Sequence, residues 1–224
     1  MDHRFKSIIL IILFFSLRLY AYIPSEGNVT ASYGPFLYKT NFSGSKELAP
    51  SPVLGDLGFV TNGDLNEKGS LEIALFHLNK IYYRNLNDRY LAEKTELIHV
   101  TLGYRRWLNE KFSWGLGFYG AYSIGTYQTL HSESNVDLEI DTSARDTTEY
   151  GLDGSIMSEI WSRDQTSVTL DFRYSYSISN KENEKGDHLG LFLAYKYIIQ
   201  DKATDTKSVP KVEPDDIIDS APKK

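Results

Sequence analysis

The chain has no cysteine among its 224 residues. Disulfide bonds, thiol catalysis, zinc–thiolate sites and a lipidated amino-terminal cysteine are therefore excluded. Long hydrophobic runs are also missing, because the apolar run at residues 8–15 is too short to cross a bilayer as a helix. The net charge of −6 mixes both signs and forms no basic stripe. Nucleic-acid binding therefore has no electrostatic support.

The amino terminus has the pattern of a signal peptide. Arg4 and Lys6 precede the apolar run, and Ala21 offers a small residue for cleavage. We therefore predict that residues 1–21 are a signal peptide and that the protein is exported. The alternative interpretation is a short amino-terminal anchor.

The most informative pattern is an alternation of side-chain types at residues 168–178. Every second residue is apolar or aromatic, and the residues between them are polar or small. A period of two indicates a β-strand with one apolar and one polar face. The length and the terminal tyrosines are typical of a tilted strand that crosses an outer membrane.

Eight segments with strand character follow the predicted signal peptide. They are residues 29–38, 53–61, 70–78, 96–107, 112–124, 148–161, 166–179 and 188–200. Long connections, at 39–52, 79–95 and 125–147, alternate with shorter ones, and the tightest are at 109–111 and 162–165. Outer-membrane barrels have long external loops and short periplasmic turns. The pattern predicts an all-β fold, an eight-stranded antiparallel up-and-down transmembrane β-barrel over residues 22–200, with both termini periplasmic.

Alternation alone does not say which face points inward. A soluble periplasmic barrel that binds a lipid or another ligand would have its apolar face inside. The polar phase contains small residues such as Gly115, Gly117 and Ala121, which suit the narrow interior of an eight-stranded barrel. The opposite phase is bulky and would overfill a ligand cavity. The sequence therefore favours the membrane barrel.

Charged side chains of both signs occupy the polar phase, so we expect them in the lumen. These residues are Glu72, His99, Arg105, Asp153, Glu159, Asp171, Arg173 and Lys196. Mixed charges in a narrow lumen are tolerated when they pair. One interpretation is a path for protons or ions. The interpretation we favour is a salt-bridge network that fills the barrel.

Aromatic residues near the strand ends predict a girdle at the membrane interfaces. The predicted girdle consists of Trp107, Trp114, Trp161, Tyr174, Tyr176, Tyr195 and Tyr197. The three tryptophans flank the two tight turns, which places them at the periplasmic interface.

Three other motifs do not support a catalytic or ligand-binding site. Residues 115–120 match the letters of a dinucleotide-binding fingerprint but lie inside a strand, without the helix that the motif requires. His131 and Ser134 invite a hydrolase interpretation, yet no nucleophile-elbow motif is present. The acidic segment 137–149 has no EF-hand spacing. We therefore predict a protein with no catalytic residues, no metal site and no cofactor.

The last segment, residues 201–224, is polar and contains Pro210 and Pro214. Its few apolar residues predict a disordered tail.

These features together resemble the small bacterial outer-membrane β-barrel proteins, the group that includes the transmembrane domain of OmpA and OmpW. The resemblance covers about residues 25 to 200 and rests on architecture, including a final strand that ends in Ala194-Tyr-Lys-Tyr-Ile-Ile199. It implies location in the outer membrane. It also implies partners: outer-membrane lipid and lipopolysaccharide, and, during biogenesis, periplasmic chaperones and the barrel-assembly machinery.

The resemblance leaves several functions open, because a fold does not imply a function. We expect a non-enzymatic barrel with an envelope-structural or surface-contact role that its external loops carry. The alternatives are a narrow channel for small solutes or ions and the soluble ligand-binding barrel. The sequence does not indicate an oligomeric state.

Overall fold

Eight strands close into a ring in the computed structural model of the chain, which describes residues 22–40, 52–133, 141–179 and 186–200. The described residues form nine strands and one short 3-10 helix at Ser143–Arg145. The strands are β1 (Val29–Thr40), β2 (Val53–Asn66), β3 (Gly69–Leu86), β4 (Arg89–Trp107), β5 (Phe112–Ser123), β6 (Gln128–Ser132), β7 (Thr148–Arg163), β8 (Thr166–Ser177) and β9 (His188–Gln200).

Each ring strand pairs antiparallel with its neighbour in the chain, and β1 pairs with β9 to close the barrel. The short β6 is outside the ring and pairs with β4. This arrangement confirms the predicted eight-stranded antiparallel up-and-down barrel. The predicted signal peptide at 1–21 and the predicted tail at 201–224 lie outside the described residues.

The wall of the barrel has its apolar side chains on the outside. Tyr33, Leu57 and Phe118 are 64%, 68% and 73% exposed, whereas the alternate positions on the same strands are buried. The arrangement is opposite to that of the soluble alternative, in which the apolar face lies inside. Among the described residues, no helix is long and apolar enough to cross a membrane.

Two predicted connections are wrong in length. The segment 79–95, predicted as a long loop, continues β3 and β4 into a hairpin that is closed by Asn87 and Asp88 alone. Both turn residues have positive φ, 52° and 61°, which asparagine and aspartate tolerate better than most residues. Similarly, β2 extends to Asn66, so its turn to β3 consists of Glu67 and Lys68.

The two ends of the barrel therefore differ. One end has the short turns at Glu67–Lys68, between β4 and β5, and between β7 and β8. The other end has the β3–β4 hairpin, β6 and the 3-10 helix. By the usual asymmetry of outer-membrane barrels, we expect the first to be the periplasmic end and the second the extracellular end, and we name them so.

Candidate functional site

The lumen is crossed by two arginines that share carboxylates. Arg105 of β4 and Arg173 of β8 both bind Glu72 of β3, at 2.5 Å (Nε to Oε2) and 2.7 Å (Nη2 to Oε1). Both also bind Asp171, at 3.1 Å and 2.8 Å. Arg173 reaches Asp153 of β7 at 3.3 Å. These contacts link four strands of the ring, and we call the five residues the arginine layer.

The remaining predicted lumen charges adjoin this layer. His99 lies 3.2 Å from the hydroxyl of Thr101 and 3.8 Å from Asp153. Nearer the periplasmic end, Lys196 binds Glu159 at 2.8 Å. The structure places all eight residues inside the barrel, each no more than 5% exposed. Because every charge faces one of opposite sign or a hydrogen-bond partner, the arrangement fills space as a structural network would.

An aromatic layer lies on the extracellular side of the arginine layer. It consists of Phe36, Tyr38, Phe76, Tyr119 and Phe192, packed with Leu78 and Leu97. The rings of Phe36 and Phe76 are 4.4 Å apart, and those of Phe76 and Phe192 are 5.4 Å apart. The guanidinium of Arg173 lies 5.1 Å from the centre of the Phe76 ring, so the two layers are in contact.

The packing of this layer depends on Gly190. A Cβ atom at Gly190 would lie 2.1 Å from the Phe36 ring. Glycine at this position therefore makes room for the ring in the lumen.

A second group of polar contacts closes the extracellular end. Lys80, which is fully buried, binds Glu149 at 2.6 Å and the carbonyl oxygen of Gly186 at 2.5 Å. The hydroxyls of Tyr82 and Tyr119 donate to the same Glu149 carboxylate, at 2.9 Å and 2.6 Å. These contacts connect the base of the β3–β4 hairpin to the start of β7 and to the segment before β9.

The hairpin is braced on its other side by Glu93, whose side chain is fully buried. Arg145 of the 3-10 helix binds Glu93 at 2.8 Å, and the Thr142 hydroxyl donates to it at 2.6 Å. The hydrogen bonds to Glu93 raise the pKa of Arg145 above its ordinary value. We call Lys80, Glu149, Glu93 and Arg145 the hairpin brace.

The sequence did not predict the hairpin brace. Lys80 and Glu93 fell in the predicted loop 79–95, Arg145 fell in the predicted loop 125–147, and Glu149 fell at the start of a predicted strand. The Asn87–Asp88 pair is the signal that could have revealed the hairpin.

Six of the seven predicted girdle residues are on the outer face of the wall. Trp114, Trp161, Tyr195 and Tyr197 lie in the periplasmic half, and Tyr174 and Tyr176 lie in the extracellular half. The seventh, Trp107, is instead inside the barrel and is 5% exposed. It shares the inward phase of Arg105 on β4, and its indole N–H donates to Ser70 at 3.4 Å.

The residues of the other sequence motifs lie in a strand of the ring, on β6 or outside the described residues. Gly115 and Gly117 face the lumen in β5, with no helix behind them in the described chain. His131 is exposed on β6, and Ser134 lies outside the described residues. Among the described residues, no group of three or more histidines or carboxylates is placed to hold a metal ion.

The ring of eight strands and the outward apolar wall give this chain the fold of the small bacterial outer-membrane β-barrels. Among solved structures, the chain is similar to the outer-membrane protein OprG of Pseudomonas aeruginosa, with a TM-score of 0.52 and 13% identity. The match covers 80% of this chain and 98% of OprG. At this level of identity the likeness shows the fold alone.

Two other outer-membrane proteins match with lower scores. Ail of Yersinia pestis has a TM-score of 0.42 and 14% identity over 77% of this chain and 99% of Ail. AlkL has a TM-score of 0.38 and 8% identity over 81% of this chain and 94% of AlkL. No protein-family model matches the sequence. A comparison with curated proteins finds no match either.

Proposed function

We propose that this protein is a closed, non-enzymatic outer-membrane barrel that contacts material outside the cell through its β3–β4 hairpin and neighbouring loops. The observation that carries the proposal is the combination of a filled lumen with a braced hairpin beyond it. The outer wall of the barrel contacts lipid and lipopolysaccharide. During biogenesis it depends on periplasmic chaperones and the barrel-assembly machinery.

The filled lumen supports a role other than transport. An ion that entered would have to separate Arg105 and Arg173 from buried carboxylates. Breaking a buried ion pair costs roughly 3–5 kcal/mol per partner removed. Beyond that layer it would meet the packed rings of Phe36 and Phe76, which offer no polar ligand to replace water.

The hairpin supports a role at the cell surface. An isolated two-stranded hairpin is marginally stable in water, so a projecting one needs support. Here β6 adds a third strand along residues 91–94 of β4. Lys80 and Glu93 anchor the base with ion pairs to the barrel end and to the 3-10 helix. A rigid projecting sheet of this kind is a suitable contact surface.

A shortened hairpin tests the proposal. Deletion of Asn85, Leu86, Arg89 and Tyr90 removes two residue pairs but keeps the Asn87–Asp88 turn and the strand register. Bacteria that display this variant should attach less to an epithelial cell monolayer than bacteria with the intact protein, at equal amounts of folded barrel.

The matched control deletes Glu67 and Lys68 and replaces them with Asn-Gly, which changes a turn at the periplasmic end. This control should attach as the intact protein does. Equal attachment by the hairpin-shortened variant, the control and bacteria that lack the barrel would contradict a contact role.

A further inference from the structure

The periplasmic mouth of the barrel is filled by the segment that precedes β1. Tyr22 folds into the lumen and is 7% exposed. Its backbone nitrogen lies 2.8 Å from Oε1 of Glu159, and its hydroxyl donates to Asp64. Its ring packs 5.6 Å from that of Trp107. With Lys196, these residues form what we call the mouth cluster.

The side chains of the mouth cluster carry unequal charge. Asp64 and Glu159 are both buried, at 4% and 5% exposure, and contribute two negative charges. Lys196 contributes one positive charge and already binds Glu159 at 2.8 Å. Its ammonium also lies 4.0 Å from the centre of the Tyr22 ring. A buried excess of negative charge is unfavourable unless a cation balances it.

The sequence supplies that cation at the right place. Tyr22 directly follows Ala21, where we predict signal-peptide cleavage. A signal peptidase adds water across the Ala21–Tyr22 peptide bond. Ala21 keeps the new carboxylate and leaves with the signal peptide, and the nitrogen of Tyr22 becomes a free amine. An α-amino group has a pKa of about 7.7–8.0, so it is mostly protonated at neutral pH.

We propose that cleavage after Ala21 creates an ammonium at Tyr22 that binds Glu159 and seals the periplasmic mouth. In this arrangement, the mature amino terminus is a built-in ligand of the barrel. Two carboxylates then face two ammonium groups, and the mouth cluster is neutral. The proposal does not depend on the contact role of the hairpin.

The surroundings of the nitrogen suit an ammonium. An ammonium has three donors, whereas a peptide nitrogen has one. A cavity of about 50 Å³ is bounded by Tyr22, Ser167 and Lys196, and the Ser167 hydroxyl has no hydrogen-bond partner within the described structure. This hydroxyl can accept a hydrogen bond, and it borders the same cavity as Tyr22.

The backbone on either side of the cluster fixes the segment in place. Gly27 donates its N–H to the carbonyl of Asp64 at 2.9 Å, and Asp64 donates its N–H to the carbonyl of Asn28 at 2.8 Å. Ser25 donates its N–H to the Asp64 carboxylate at 3.0 Å. The hydrogen bonds of these neighbouring residues therefore help to hold Tyr22 in position.

The first test uses the protein purified from outer membranes without any substitution. Mass spectrometry of its amino-terminal peptide should identify Tyr22 as the first residue. The folded protein is then treated with an amine-reactive reagent near neutral pH, before and after unfolding by boiling in detergent. The α-amine should react at least about tenfold more slowly in the folded barrel, because reaction requires local opening.

Two variants test whether Glu159 is the partner of the α-amine. Glu159→Gln should remove most of this protection, whereas Glu67→Gln, at an exposed turn of the same end, should leave it unchanged. An amino terminus other than Tyr22 would overturn the proposal. Equal reactivity of the α-amine in the folded and the unfolded wild-type protein would overturn it as well.

Discussion

The lumen contains two adjoining layers that are filled by opposite chemistry. The arginine layer is held by ion pairs among Glu72, Arg105 and their partners. The aromatic layer is held by contacts between rings such as Phe36 and Phe76. In the first layer the stability depends on each charge keeping its partner, and in the second it depends on volume. The lumen is therefore filled by two different kinds of packing, which meet where Arg173 lies over the Phe76 ring.

The largest expected effect comes from breaking the arginine layer. Arg173→Ala leaves the carboxylates of Glu72, Asp153 and Asp171 with one arginine between them. We expect the free energy of unfolding to fall by about 3–5 kcal/mol, because buried charges lose their cation. Urea titration in detergent micelles, followed by gel mobility without boiling, measures this change.

The matched control is Arg163→Ala. The Arg163 side chain is 78% exposed and pairs with the exposed Asp164, so its loss should change stability little. Equal stability of Arg173→Ala and the control would show that the arginine layer does not hold the barrel.

A somewhat smaller effect is expected in the aromatic layer. Leu78 is fully buried in this layer, and Leu78→Ala should lower the free energy of unfolding by about 2–5 kcal/mol through lost contacts and a residual cavity. The same urea titration measures it. Leu71→Ala, on the outer face of the same strand, is the control for strand propensity and should cost less.

The next largest loss of stability is expected when a side chain is added to the aromatic layer. Gly190→Ala places a methyl group against the Phe36 ring and should cost about 1–3 kcal/mol. Phe36→Leu in the same chain should recover part of the loss, because it makes room for the methyl group. Additive losses in the double variant would show that the two residues do not compete for the same space.

The smallest effect on the stability of the whole barrel is expected for a substitution outside the lumen. Arg145→Ala removes the cation that binds the buried Glu93 carboxylate, although the Thr142 hydroxyl still donates to it, so the hairpin brace should weaken locally by about 1.5–3 kcal/mol. Limited proteolysis should then cleave the β3–β4 hairpin or its neighbours faster, while urea stability of the barrel stays unchanged. A loss of barrel stability instead would mean that the brace belongs to the core.

The difference between the layers also explains what the sequence could predict. The strands with polar inward residues, such as Thr166–Ser177, alternate clearly, and their faces could be assigned from the period of two. In β1 and β3 the inward residues include Phe36, Tyr38 and Phe76, so both faces are apolar and the alternation is weak. The sequence therefore revealed the charges of the lumen but not its aromatic layer.

Which lumen residues pair with one another could not be predicted from the sequence. The period places Glu72 and Arg173 on inward faces, but their contact joins residues that are 101 positions apart in the chain. Trp107 shows a related limit, because its closeness to a tight turn suggested the interface although its phase on β4 points inward. Phase along a strand is the stronger indicator in such cases.

The most direct test of a closed lumen is the conductance of the purified barrel in a planar lipid bilayer. The wild-type protein should give no steady ion current. The double variant Arg105→Ser and Phe76→Ala, which thins both layers, should conduct if it remains folded by gel mobility, because water can then enter the lumen. A steady wild-type current of the size that the thinned variant carries would contradict closure and would favour the narrow channel instead.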